Sequence, residues 1–172
     1  MFPLEQVVKG EIDPISTETL NMSVSELVNM YSGKPQELVV HPKYPRSFWW
    51  SNEQKSRLIQ SIFLGLPLPQ ITAIEDSSKI LELIDGKQRL YSMIQFVNAS
   101  ILDLQPLILQ GCDLVPELNG NSFNDLPLSM RLNFKRSPIK TAILSINNKN
   151  ISMMNTSKLR FSIIKSLTSS EF

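Results

Sequence analysis

The residues best suited to chemistry are the run Ile84-Asp85-Gly86-Lys87-Gln88-Arg89-Leu90. An apolar stretch leads into Asp-Gly, and Lys, Gln and Arg follow at once as a helical pattern begins. The start of a helix carries backbone donors and the positive end of a dipole, so it favours an anion. Gly86 would let a phosphate approach the backbone, while Lys87 and Arg89 add charge and a bidentate donor. Asp85 has three candidate tasks: to hold a metal ion, to orient a water, or to fix the arginine. Two cations in a first helical turn oppose the dipole and cost stability unless an anion is expected. The same residues also suit a plain strand–turn–helix junction with Asp85 as its cap and solvated cations.

A second polar and aromatic cluster precedes it: Tyr44, Arg46, Phe48, Trp49 and Trp50. An arginine among rings can clamp a phosphate while the rings stack on a base. The other reading is a hydrophobic brace between loop and core. Only one histidine, His41, and one cysteine, Cys112, are present, so a zinc centre and an internal disulfide are both disfavoured and no metal site is assigned. Cys112, between Gly111 and Asp113, reads as an ordinary semi-buried thiol.

The elements that must position these residues follow from local signals. Residues 1–19 have weak periodicity and two prolines, and suggest an arm or irregular lead-in. Ser23-x-x-Glu26 and Ser51-x-x-Gln54 are capping boxes that open helices, the second placing Leu58, Ile59, Ile62, Phe63 and Leu66 on one face. Leu38–Val40, Ile71–Ile74, Ile80–Ile84 and Ile139–Ile146 read as strands, the middle two as a hairpin-like pair. Lys87–Val97 has Leu90, Ile94 and Val97 on a helical stripe. Ile101–Gly111 is ambiguous, Leu118–Asn121 is a turn, and Phe123–Met130 suggests a short helix interrupted by Pro127. A last helix is expected over Thr156–Leu167, with Leu159, Ile163 and Leu167 aligned. The mixture predicts one α/β or α+β domain with an antiparallel or mixed sheet.

With 172 residues and 42% hydrophobic content, the chain can bury a core without disulfides or metal. No apolar run approaches the roughly 20 residues of a membrane span, and no basic-then-apolar start suggests a secretory signal, so a cytoplasmic protein is expected. Charge is balanced overall at +1 but not locally. From Arg131 onward there are eight basic residues (Arg131, Lys135, Arg136, Lys140, Lys149, Lys158, Arg160 and Lys165) against Glu171 alone. That asymmetry suits either a nucleic-acid-facing end or a dispersed, solvated surface.

Taken in order, Tyr44-x-Arg46, Trp50, Lys55-Ser56-x-Leu58-Ile59, Ser61, Gly65, Pro67, Pro69 and Asp85-Gly86-x-Gln88-Arg89-Leu90 resemble the GmrSD-type N-terminal domain. Asn119-Gly120-x-x-Phe123-x-Asp125-Leu126-Pro127 looks like its continuation, and the likeness covers about residues 20–147. This divides the chain into an arm (1–19), the GmrSD-like domain (20–147) and a diverged or truncated basic segment (148–172). The family occurs in bacterial and phage-related DNA defence. The resemblance implies an α+β, ParB/sulfiredoxin-like fold with a small mixed sheet and flanking helices. It also implies nucleotide binding and hydrolysis that gate DNA restriction, with an NTP and Mg²⁺ as candidate cofactors. By that resemblance Asp85, Gln88 and Arg89 serve hydrolysis, and Arg46, Gly86 and Lys87 bind the nucleotide. DNA, a nuclease domain or subunit and a second copy of the chain are the partners to consider. The alternative is a non-catalytic DNA-binding or regulatory fragment of such a system.

Three positions depart from the family pattern: Pro45 for Gln, Lys87 for the first Gln of Asp-Gly-Gln-Gln-Arg, and Tyr91 for a small Thr. After Ile146 the family's Phe-x-Arg-Leu-Asn segment is replaced by Asn147-Asn148-Lys149-Asn150 and the basic tail. A nuclease is not expected from this chain alone, since a single His and no paired-carboxylate-plus-Lys signature are present. A sulfiredoxin-type reaction is equally disfavoured, because the turn holds no Cys.

Overall fold

The computed structural model describes residues 15–40 and 50–146. Among them are five strands and four α-helices: β1 (Ile15–Ser23), α1 (Val24–Ser32), β2 (Leu38–Val40), α2 (Asn52–Phe63), β3 (Ile71–Glu75), β4 (Leu81–Asp85), α3 (Lys87–Asn98), α4 (Leu128–Arg136) and β5 (Pro138–Ile146). The sheet runs β1-β5-β3-β4-β2. β1/β5 and β3/β4 are antiparallel, whereas β5/β3 and β4/β2 are parallel. This is the expected α+β class with a mixed sheet.

Burial explains the strand types. β3 is the central strand of the five and reads Ile-Thr-Ala-Ile, all four buried, as a strand covered on both faces must. Ile71, Ala73, Leu81, Leu83, Ile139 and Ile143 line the face that meets the helices. Against them pack Leu27 and Val28 of α1, Leu58, Ile59 and Ile62 of α2, Leu90, Met93 and Ile94 of α3, and Phe134 of α4. Phe134 closes an aromatic group, with its ring 5.1 Å from those of Phe63 and Phe96 and 6.3 Å from Phe123.

Both capping boxes form. Ser23 and Ser51 each accept from the backbone of the third helical residue, while Glu26 and Gln54 reach back to the cap N–H. Two local expectations differ from the structure, and one stretch left open is resolved by it. Ile15–Ser23 is a full edge strand, although an irregular lead-in was expected through Thr19. Ser16–Asn21 are all exposed, so no hydrophobic alternation announces the strand; its register comes from β5. The short helix expected within Phe123–Met130, interrupted by Pro127, is a 3-10 turn at Phe123–Asp125, and the α-helix beyond Pro127 runs further than expected, to Arg136. Pro127 has no N–H to donate, and it sits at the helix's N-cap, where none is needed. The ambiguous stretch after Ile101 becomes a strap laid across α2. The Gln110 N–H donates to Ser56 Oγ at 3.0 Å, and the N–H groups of Leu114 and Val115 both donate to Gln60 Oε1 at 3.0 Å.

No helix among the described residues is long and apolar enough to cross a membrane. The expected helix over 156–167, the tail cations from Lys149 onward, and Tyr44, Arg46, Phe48 and Trp49 lie outside the described residues.

Candidate functional site

The site is built where β4 ends and α3 begins. A register shift between Thr72 and Ala73 of β3 sets Thr72 opposite Asp85 and Ala73 opposite Leu83. Such a bulge re-aims the end of a strand. Gly86 then takes φ 92° and ψ 17°, a left-handed conformation that a glycine adopts at little cost. It serves as the N-cap of α3, and its carbonyl accepts the Leu90 N–H at 2.9 Å.

The first turn of α3 breaks a rule that the two capped helices obey. α1 and α2 open with a side-chain cap and an acidic residue, Glu26 or Glu53. α3 has no side-chain cap and no acidic residue there, and it carries Lys87 and Arg89 instead. Positive charge accumulates where the helix dipole is already positive.

The structure brings Asp85, Gly86 and Arg89 together. Asp85 Oδ1 accepts the Gly86 N–H at 2.8 Å. Arg89 Nη2 donates to Asp85 Oδ2 at 3.2 Å and to the Gln70 carbonyl, at the foot of β3, at 3.1 Å. Gln88 and Lys87 take other directions. Gln88 Oε1 accepts the Trp50 N–H at 3.2 Å, and Lys87 Nζ lies 5.6 Å from the Tyr91 ring centroid. Tyr91 in turn meets Tyr31 of α1 edge-on, with centroids 5.7 Å apart. The two departures Lys87 and Tyr91 are therefore neighbours in space, four residues apart on one helical face.

One turn further along, Lys55 Nζ donates to Gln95 Oε1 at 2.9 Å, and Gln95 Nε2 donates to the Gln105 carbonyl at 2.9 Å. Lys55 is buried, and desolvation pushes its ammonium below the usual lysine range. The Trp50–Gln88 and Lys55–Gln95 contacts fix α2 and α3 side by side with their N-termini at the same end. Among the described residues no group of three or more His, Cys, Asp or Glu could hold a metal ion.

The family model for the GmrSD restriction endonuclease N-terminal domain matches residues 24–170. The chain belongs to the GmrSD N-terminal domain family. Membership ties it to DNA restriction, and the match runs beyond Ile146 into the basic tail. No curated protein and no solved structure matches the chain at a comparable level.

Within the GmrSD domain, the residues that sequence reasoning passed over are Gln70, Gln95 and the backbone of Trp50. Gln70 acts through its carbonyl, which no side-chain type announces. Gln95 had a readable signal, lying seven residues after Gln88 on the same helical face and among apolar neighbours.

Proposed function

We propose that this GmrSD domain binds the triphosphate of a nucleotide at the Gly86 turn and couples its hydrolysis to DNA restriction. The observation that carries the reading is the start of α3: a glycine in place of a capping side chain, no acid, and two cations in one turn. A triphosphate there would meet the positive dipole end together with Lys87. Water attacking the terminal phosphorus would form one P–O bond as the bond to the diphosphate breaks, and Lys87 would offset charge developing on the transferred oxygens. Gln88 would hold the Trp50 segment, and with it the start of α2, beside the nucleotide. The ParB/sulfiredoxin-like architecture and a phosphate role for Arg46 belong to this reading as well.

Asp85 is a poor fit to a resident metal ion. One of its oxygens faces the Gly86 N–H and the other faces Arg89. Mg²⁺ accordingly enters as part of the substrate, on the triphosphate, and no step is assigned to a protein-held metal.

A second reading, a DNA-contacting or regulatory module without turnover, is favoured by the end of the described chain. Arg131, Lys135, Arg136 and Lys140 lie between Leu128 and Ile146 with no acidic residue among them. The test is calorimetric titration of the full chain with each common magnesium nucleoside triphosphate, followed by phosphate-release assays with and without duplex DNA. Binding with DNA-dependent release supports the proposal. DNA binding that weakens steeply with salt, without heat from any nucleotide, replaces it with the second reading.

A further inference from the structure

Independently of the nucleotide reading, we infer that the outer edge of β1 docks β1 of a second copy of this chain, the two strands pairing antiparallel about Thr19.

β1 ends the strand order, and among the described residues only β5 pairs with it. The phase of that pairing decides which backbone groups remain. The Val24 N–H donates to the Ser137 carbonyl at 3.1 Å, one step beyond the pair of Ser23 with Pro138. Hydrogen-bonded pairs alternate along an antiparallel ladder, so Met22, Leu20 and Glu18 exchange bonds with β5. Asn21, Thr19 and Thr17 therefore turn their N–H and C=O groups to the outer edge. Ser23 shares that phase, and its N–H is taken by Glu26 Oε2 at 3.3 Å.

A row of outward donors and acceptors is a template for another strand, and sheets guard it with lysine, proline, a bulge or a very short strand. β1 has none of these. Its nine residues, Ile15–Ser23, run in unbroken register with β5 and include neither Lys nor Pro. Ser16–Asn21 are all exposed, which leaves both faces of the strand clear for an approaching chain.

The order of residues in β1 suits a copy of itself. Its one charge is Glu18. Pairing centred on Glu18 would set the two carboxylates directly opposite each other at the closer, non-hydrogen-bonded spacing, which is repulsive. Pairing centred on Leu20 would set Thr17 against Ser23, whose N–H is already used. Centred on Thr19, each Thr19 meets its counterpart, Thr17 meets Asn21 and Glu18 meets Leu20. No like charges then face each other, and all three outward residues of each copy are paired. The two sheets join as one across an isologous contact.

Sedimentation velocity on the full chain, over about 1 to 100 µM, reads the oligomeric state. A reversible monomer–dimer equilibrium is expected with no larger species, because a two-fold contact closes on itself. Thr19→Lys brings two cations face to face and should raise the dissociation constant at least about tenfold. Thr19→Pro removes an outward N–H that β5 does not use and should do the same. Under mild oxidation Thr19→Cys should form a disulfide-linked dimer at least about tenfold faster than Glu18→Cys, whose thiols would lie out of register.

A wild type that stays monomeric throughout the range overturns the proposal, and so do open-ended assemblies. A dimer that Thr19→Lys leaves intact overturns it too, because the contact then lies elsewhere. Should either Thr19 variant fail to fold, the cysteine pair decides: equal cross-linking at positions 18 and 19 overturns the proposal.

Discussion

Replacing Gly86 with alanine tests the geometry of the turn more sharply than any change of charge. At φ 92° an L-residue pays a backbone cost of about 1–2 kcal/mol. The new Cβ would also lie 2.9 Å from Ile71 Cγ1, closer than a methyl group can sit, and a tight 3.3 Å from Ile71 Cα. Ile71 is fully buried on a strand paired on both sides, so it cannot swing away cheaply. Overpacking of this kind costs about 1–3 kcal/mol, which brings the total to roughly 2–5 kcal/mol.

Gly65→Ala is the internal control. Gly65 has φ +64° and nothing within 4 Å of its Cβ position, so only the backbone cost of about 1–2 kcal/mol applies. Urea unfolding followed by tryptophan fluorescence would give both values. Gly86→Ala should be the less stable by about 1–3 kcal/mol, a difference of several degrees in melting midpoint for a chain of this size. Equal losses at the two positions would refute the reasoning, because the contact with Ile71 would then carry no energy.

Phe134→Ala should cost about 3–5 kcal/mol by calorimetry or urea unfolding, because the ring is fully buried among three other phenylalanines. The Lys55 ammonium is held below its unfolded value by burial, so between those two values the unfolded chain binds the extra proton. Folding stability should therefore rise as pH increases through the native value toward that of a free lysine, and this alkaline gain should vanish in Lys55→Met. Cys112 is buried and its thiol is pushed up by desolvation, then by Asp113. A thiol reagent at neutral pH should label it at least about a hundredfold more slowly in the native protein than in urea.

Local signals made much of the fold legible. Ser23-x-x-Glu26 and Ser51-x-x-Gln54 mark their helices because a capping box is a contact between residues three apart, and spacing alone reveals it. The β3–β4 pair and the β4-to-α3 turn were readable for the same reason. β1 was not, since Ser16–Asn21 are exposed whichever face they lie on and only β5, more than a hundred positions away, gives them a partner. The strap over α2 was hidden likewise: its stabilising groups are backbone N–H donors that meet Ser56 and Gln60, polar residues on a helix that otherwise reads as amphipathic. At the site, residue types pointed to Asp85 and Arg89 but left Asp85 with three possible tasks. In the fold, Asp85 Oδ2 accepts from Arg89 Nη2, which also donates to the Gln70 carbonyl, a backbone partner that no residue type announces.

The order β1-β5-β3-β4-β2 has a consequence for biosynthesis. β5 is the last strand of the sheet to be translated, yet it occupies an interior position between β1 and β3. Until it emerges, β3 presents an open edge of backbone donors and acceptors, and β1 has no neighbour at all. The interval from the end of β3 at Glu75 to the end of β5 at Ile146 takes roughly 4–14 s at ribosomal rates of about 5–20 residues per second. Through that interval Ile71 lacks its sheet partner, Thr141 of β5, while the β4 pairing begins only at Thr72. Because the wall behind Gly86 is Ile71 itself, the setting of this turn is completed only once β5 has been made, which times the turn to the completion of the sheet.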